Sequence, residues 1–482
     1  MRSSVSFVLD NSTVTVSFSG NSLSPTTTLL NYLRTTATHR GVKEGCAEGD
    51  CGACTVVLAE TDDAGTMRYR AVDSCLVFLP MIHGKQVVTV ENLAGEGLHP
   101  VQQAMVETGG SQCGYCTPGI VMSLFALYKQ HHSPDRHLIE EALTGNLCRC
   151  TGYRPIIEAA ARACVHQGVD GFTSREHSIA TLLQSIPRTS AIFRTASQTY
   201  YQPATLDEAL TLKAEHPQAV VICGATDVAL RVTKAHETLS TVIDLSLITE
   251  LRRLQEDDAS VSIGAGVVLS EVHRHIGNQF PALAAMLEVF GSLQIRNLAT
   301  LGGNLGTASP IGDTLPALIS HRARVVLRSV RERREIPLDD FVTGYRATQR
   351  EPDELITEVI VPKPGPDTFI RWYKVSKRRD LDISTLSGGF RLELDAARRV
   401  SDVVLAYGGM AEQVRRATRT EQFLLGKTWT RETVEAAMSL IDSDFTPISD
   451  VRGSARFRSI AARNLLMKFW LDAQIAFDGN AG

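Results

Sequence analysis

The chain has 482 residues, 43% of them hydrophobic and 21% charged, which suits an ordinary globular protein of roughly two to four domains with sizeable cores. A formal net charge of −4 gives no basic surplus for nucleic acid, and the arginine run from Arg328 to Arg334 is broken by Glu332, as in a solvated loop or strand edge. No stretch approaches the ~20 uninterrupted apolar residues of a membrane span, and residues 1–20 alternate polar and apolar without a signal-peptide core, so a cytoplasmic chain with reduced thiols is expected.

Residues 1–95 read as short alternating strands (4–10, 13–20, 53–60, 69–80 and 86–92) interrupted by a helical stretch at 26–36, a β-grasp-like pattern. The loop after that helix carries Cys46, Cys51 and Cys54 among Gly45, Gly49 and Gly52, and Cys75 follows later. Cys-x4-Cys-x2-Cys with a distant fourth cysteine is the spacing of a plant-type [2Fe–2S] ferredoxin loop. A cluster held by four thiolates is anionic. Backbone N–H groups turned toward its sulfurs stabilise it, and chain wrapped that closely has room for little but glycine. Structural zinc also accepts four cysteines, though this is not a zinc-knuckle spacing, and a disulfide framework does not suit a cytosolic chain.

Residues 96–168 change to helical period, with segments at 100–108, 119–131, 137–145 and 153–167 forming a small four-helix bundle. Cys113 and Cys116 precede Thr117-Pro118-Gly119 at one helix start, and Cys148 and Cys150 precede another. Two such pairs could bind one four-thiolate centre, either zinc or iron–sulfur. Cys164 and Cys223 lack partners at suitable spacing and are expected to be buried core thiols. Residues 169–198 lose periodicity, as a linker would.

Beyond it, 199–365 reads as an α+β domain with a helix at 207–217 and strands at 219–230, 241–247 and 260–267. A last α+β domain, 366–482, has strands at 372–378, 387–394 and 402–410 and helices at 416–425, 431–441 and 455–470. Neither common nucleotide fingerprint is present: Leu269 stands where GxGxxG needs glycine, and Glu421 where a P-loop does. Two loops of small residues remain, Cys223-Gly224-Ala225-Thr226-Asp227 and Thr300-Leu301-Gly302-Gly303-Asn304, whose backbone could approach a pyrophosphate. Beside a one-electron centre, a flavin that converts single electrons to hydride is the fitting ligand.

The strings EGCAEGDCGACTV, QCGYCTPG, GNLCRCTGYRPI, QIRNLATLGGNLGTASPIGD and the late YGGM resemble the xanthine dehydrogenase branch of the molybdenum hydroxylase family, in its iron–sulfur and flavin half as carried by bacterial small subunits. The resemblance covers nearly the whole chain. It implies a β-grasp ferredoxin-like domain, a four-helix [2Fe–2S] bundle, a FAD-binding domain of the vanillyl-alcohol-oxidase/CO-dehydrogenase-flavoprotein type and a C-terminal CO-dehydrogenase-flavoprotein-like domain. It implies that Cys46, Cys51, Cys54 and Cys75 hold one [2Fe–2S] cluster and Cys113, Cys116, Cys148 and Cys150 the other. FAD contacts would come from Val221, Ile222, Cys223, Gly224, Ala225, Thr226, Asp227 and Val228, and from Thr300, Leu301, Gly302, Gly303 and Asn304, with Asp313 and Lys374. Phe290 would lie beside the isoalloxazine, and Gln112 near the partner's molybdopterin. A separate large molybdopterin subunit, in an α2β2 heterotetramer, would oxidise hypoxanthine and xanthine to urate. Electrons would pass through the helical-domain cluster, then the ferredoxin-like cluster, to FAD and NAD⁺, with the loop Lys377–Ile383 influencing the acceptor. No side chain of this chain need act as acid, base or nucleophile. The alternatives are the same relay for an aldehyde, nicotinate or CO oxidising enzyme, or a zinc-stabilised binding module without catalysis.

Overall fold

A computed structural model describes residues 2–20, 23–62, 64–95, 97–165, 170–277 and 279–479. Residues 96 and 166–168, expected at the ends of the helical domain, and residue 169, expected to open the linker, lie outside the described residues. The chain divides into two compact units, 1–249 with 291–299, and 250–290 with 300–482. This division crosses the expected 199–365 domain.

In the first unit, β1 (Ser4–Leu9) and β2 (Ser12–Ser17) form a hairpin. Asp10 and Asn11 turn it at positive φ (52° and 65°), which their short polar side chains tolerate. α1 (Leu29–Thr35) starts where the Thr28 hydroxyl accepts from Asn31 N at 3.2 Å, and it buries Leu29, Leu30 and Leu33. β3 (Thr55–Thr61), β4 (Met67–Asp73) and β5 (Gln86–Val88) complete a sheet of order β2-β1-β5-β3-β4, with β1 parallel to β5. The strand period of two sends alternate residues of β3 into different cores. Val57 and Ala59 pack with the helical bundle, while Val56 and Leu58 pack with Phe7, Phe78 and Tyr200.

The strand expected at 69–80 stops at Asp73, and Cys75 sits on the single helical turn Ser74–Leu76. Ser74 causes the break: its hydroxyl and its N–H both donate to Cys54 O, at 2.7 and 3.4 Å, in place of a ladder bond. The strand expected at 86–92 ends likewise at Val88, where Thr89 and Asn92 form a capping box for the turn Val90–Leu93.

The bundle consists of α2 (Pro100–Glu107), α3 (Thr117–Gln130), α4 (Arg136–Ala142) and α5 (Arg154–Val165). Every residue of α3 from Gly119 to Tyr128 is buried, making it the central helix. The segment expected to be a linker is structured: α6 (Glu176–Ser185) buries Ile179 and Leu183 one turn apart, and β6 (Ala191–Arg194) pairs with β7 (Thr199–Gln202). Two buried apolar residues were too sparse a signal to mark a helix. After α7 (Leu206–Glu215), β8 (Val220–Ile222) and β9 (Thr241–Asp244) extend this sheet in the order β6-β7-β9-β8. The strand expected over 219–230 is thus short; a loop at 223–228 follows it, then α8 (Ala229–Thr233).

The second unit opens with β10 (Leu254–Glu256) and β11 (Ser260–Gly264). They join β12 (Arg324–Arg328), β13 (Arg333–Pro337) and β14 (Leu355–Pro362) in an antiparallel sheet of order β10-β11-β14-β12-β13. The arginine run is the β12–β13 hairpin, where Arg334 forms a forked pair with Glu354. The helices α9 (Leu269–Ile276), α10 (Pro281–Glu288), α11 (Leu301–Thr307) and α12 (Thr314–Ser320) follow β11. A second antiparallel sheet, β15 (Phe369–Val375), β16 (Leu386–Leu394) and β17 (Val400–Gly408), packs with α13 (Thr418–Leu424), α14 (Arg431–Met438) and α15 (Ala455–Gly479) around Phe390, Tyr407 and Phe469. Among the described residues no helix is long and apolar enough to cross a membrane.

Candidate metal centres and cofactor loops

The loop between α1 and β3 folds back on itself, with Ala47, Gly49 and Gly52 at positive φ (58°, 77° and 66°). Those turns aim two backbone donors at one sulfur: Glu48 N and Asp50 N lie 3.4 and 3.2 Å from Cys46 Sγ. Cys46 and Cys51 also share a thiol hydrogen bond, which with the backbone donors outweighs burial and pulls Cys46 down to about 5. A sulfur so placed is ready to be a thiolate. Cys54 and Cys75, both buried, form a second thiol pair. Here the hydrogen bond that the Cys54 thiol gives to Cys75, burial and the neighbouring Asp73 all push Cys54 upward. Asp73 Oδ1 lies 3.8 Å from Cys54 Sγ, and burial pushes this carboxyl up to about 8.

The second quartet is also paired. Cys113 and Cys150, both exposed, share a hydrogen bond, and so do Cys116 and Cys148. Cys148 is buried, which raises it, but bonds from Thr151 and Cys116 win and hold it below the ordinary thiol value. The Thr151 hydroxyl is 3.1 Å from its sulfur. Cys116, at the start of α3, is pushed up to about 12 by burial and by Cys148. Tyr153 OH accepts from Cys148 N at 2.8 Å and fixes the turn that presents the pair.

Among the described residues no three cysteine, histidine or carboxylate side chains converge tightly enough to hold one ion. The thiols stand two and two. Such a four-thiolate donor set would suit an iron–sulfur cluster.

The two cysteine loops meet through backbone and side chains. Leu147 N, beside Cys148, donates to Cys51 O at 3.0 Å, and Asn146 Nδ2 donates to Gly52 O at 3.1 Å. A Cβ on Gly52 would lie 2.2 Å from Gly145 O, so the contact requires glycine there.

The expected flavin contacts fall in two groups. In the first unit Val221 and Ile222 end β8, and Cys223–Val228 form the loop before α8. Cys223 is half-buried rather than a core thiol, whereas Cys164 is buried as expected. A Cβ on Gly224 would lie 1.9 Å from Leu298 O, so the loop backbone runs against residues 298–299. In the second unit the 300–304 stretch is not a loop. Thr300 caps α11, its hydroxyl accepting from Gly303 N at 3.1 Å, and Leu301, Gly302, Gly303 and Asn304 make the first turn. Asn304 accepts from the Thr314 hydroxyl, close to Asp313. Lys374 Nζ, on β15, lies 3.2 Å from both Asp313 Oδ2 and Val289 O, and Ser384 Oγ donates to Asp313 Oδ1 at 2.7 Å. Thus Asp313, Lys374 and the chain at half-buried Phe290 come together. The loop Lys377–Ile383 is tied to the same place by Arg379, which pairs with Glu288 at 2.7 Å. Gln112 is exposed beside Cys113. Nothing in the sequence singles out Asp73, Asn146, Ser384 or Gln294 for a role, although Asn146 and Gln294 lie within the strings GNLCRCTGYRPI and QIRNLATLGGNLGTASPIGD.

Comparison with known families assigns residues 14–79 to the 2Fe-2S iron-sulfur cluster binding domain and 89–161 to the [2Fe-2S] binding domain. Residues 193–364 match the FAD binding domain in molybdopterin dehydrogenase, and 371–473 the CO dehydrogenase flavoprotein C-terminal domain. Xanthine dehydrogenase of Emericella nidulans is 34% identical over 512 residues, taking in 94% of this chain and 38% of the relative. Xanthine dehydrogenase 1 of Arabidopsis thaliana is 32% identical, over 92% of this chain and 38% of the relative. The chain therefore spans well under half the length of these curated relatives. Among solved structures, the carbon monoxide dehydrogenase from Hydrogenophaga pseudoflava that lacks the Mo-pyranopterin moiety of its cofactor is 26% identical, with a TM-score of 0.53 over 56% of this chain and 94% of that one.

Proposed function

We infer that this chain, which carries the two iron–sulfur domains and the flavoprotein domains of the xanthine dehydrogenase family of molybdenum hydroxylases, is an electron relay between a molybdenum centre held elsewhere and a nicotinamide acceptor. Cys46 with Cys51, and Cys54 with Cys75, would hold the iron ions of one cluster; Cys113 with Cys150, and Cys116 with Cys148, those of the other. When bound, the clusters supply one-electron steps and FAD the exchange of single electrons for hydride. The protein's part is to hold thiolates, aim N–H groups at sulfur and keep the two ligand sets in contact. The observation that carries the reading is the 3.0 Å hydrogen bond from Leu147 N to Cys51 O, which joins a ligand of one quartet to the neighbour of a ligand of the other.

The second quartet reaches the surface at Cys113 and Cys150, exposed beside Gln112 and Tyr115, while Cys148 is buried, and that exposed face takes the molybdopterin-bearing portion. We assign that portion to a separate large subunit in an α2β2 assembly. FAD takes the 221–228 loop, the first turn of α11, and Asp313 and Lys374, with Phe290 at its ring. Purines are the substrate class, hypoxanthine and xanthine going to urate with NAD⁺ as acceptor. The likeness to carbon monoxide dehydrogenase favours, as a second reading, the same relay serving another hydroxylase. Assay of the copurified assembly with hypoxanthine, xanthine and aldehydes separates the two. NAD⁺-dependent urate formation is the expected result, and turnover of aldehydes alone would favour the second.

A further inference from the structure

Residues 291–299 leave the second unit and belong wholly to the first. Their helical turn, Leu293–Arg296, buries Gln294 and Arg296 completely. The two N–H groups of Gln294 Nε2 are shared among three acceptors, Ser123 Oγ on α3 at 2.9 Å, Ala142 O at the end of α4 at 2.8 Å and Asn146 Oδ1 at 3.1 Å. Ser123 Oγ also donates to that same Asn146 oxygen at 2.6 Å. With Oδ1 fixed from two sides, the Asn146 amide points its NH₂ at Gly52 O and Thr55 Oγ1, both 3.1 Å away. Gly52 sits between Cys51 and Cys54, and Asn146 two residues before Cys148. Around this hub Leu293 N donates to Thr144 Oγ1 at 3.1 Å, Arg296 pairs with Glu141 at 2.9 Å, and Asn297 Nδ2 donates to Ala71 O at 2.9 Å. Gln294 Oε1 has no partner among the described residues. A buried amide that strands its acceptor is costly, so what the fold uses is its donor side.

We propose that Gln294 is a positioning residue that, through Asn146, sets the gap and orientation between the two iron–sulfur loops and so the rate at which electrons cross from one to the other. The inference rests on the cluster assignment above. Its chemistry is geometric: the loops touch through the Leu147–Cys51 main-chain bond, the Tyr115 hydroxyl on Glu44 O and the Asn146 amide, and the buried amide among these is held in orientation by Gln294 and Ser123 from outside both loops.

The test uses the full chain with its cofactors and the variant Gln294→Leu, which keeps the volume and removes the donors. Spin–spin splitting between the two reduced clusters, read by EPR, is compared with the rate of electron transfer between them after rapid reduction. We expect both EPR signals, full iron and bound flavin, with an altered splitting and several-fold slower transfer. Unchanged splitting and rate with both signals present would overturn the proposal. Should Gln294→Leu fail to keep both clusters, the same readouts on Ser123→Ala decide, with a smaller change in the same direction expected and no change contradicting it. A native chain that shows no two cluster signals would defeat the cluster assignment instead, which keeps the two failures apart.

Discussion

His321 shows how a single buried ring ties stability to pH. Its Nδ1 donates to Ala317 O at 2.8 Å, its ring packs near Phe280, and it is almost fully buried. Burial, helped by the Arg391 charge and opposed by the Ala317 bond, pushes it down to about 4 from 6.5. Between those values the unfolded chain binds a proton that the folded chain refuses. The contribution is therefore fully present above pH 6.5 and is lost as pH falls through the window, by about 2 kcal/mol from pH 7 to pH 5. Urea midpoints of His321→Gln measured across that range are expected to fall less steeply than those of the native chain; parallel curves would contradict the assignment. At Cys51 the consequence is chemical. Cys51→Ser removes one thiolate of the Cys46–Cys51 pair and the partner that lowers Cys46. Loss of about half the iron and sulfide is expected, with one cluster's EPR signal and FAD retained, and unchanged iron content would count against the ligand assignment.

Between elements, the decisive contacts are those where glycine lets backbones touch. Gly52→Ala would place a Cβ against Gly145 O at positive φ, which costs about 1–3 kcal/mol for strain or overpacking. Thermal unfolding should show that loss together with altered coupling of the clusters, and a variant of native stability would mean the loops have room to move. This is also the scale at which the sequence was easiest and hardest to read. The four bundle helices were legible because their apolar period is local, and the first cysteine quartet because its spacing is itself the signal. Strand ends were not, since Ser74 and Thr89 divert the backbone by bonds that no alternation pattern displays. The Thr300–Asn304 stretch read as a loop because of its glycines, although a capping threonine stands in front of them. The pairing of Cys113 with Cys150 and of Cys116 with Cys148, the Asp313–Lys374 contact and the Gln294 hub join residues far apart in the chain, so only the fold reveals them.

For the whole molecule, the two compact units do not follow the modular boundaries that composition suggests. The ferredoxin-like sheet shares one core with the bundle and another with residues 191–242, so both cluster loops stand on a common frame. That frame suits a relay: holding donors and acceptors at fixed separation is what the protein contributes when the redox chemistry belongs to its cofactors. The central claim is that eight thiols in four pairs hold two binuclear clusters on a chain that also binds a flavin. Its most direct test is one quantitative analysis of the purified chain for iron, acid-labile sulfide and FAD, with EPR of the dithionite-reduced protein. The account predicts about four irons, about four sulfides and one FAD per chain, with two distinct reduced-cluster signals. A colourless protein containing zinc and no labile sulfide would contradict it.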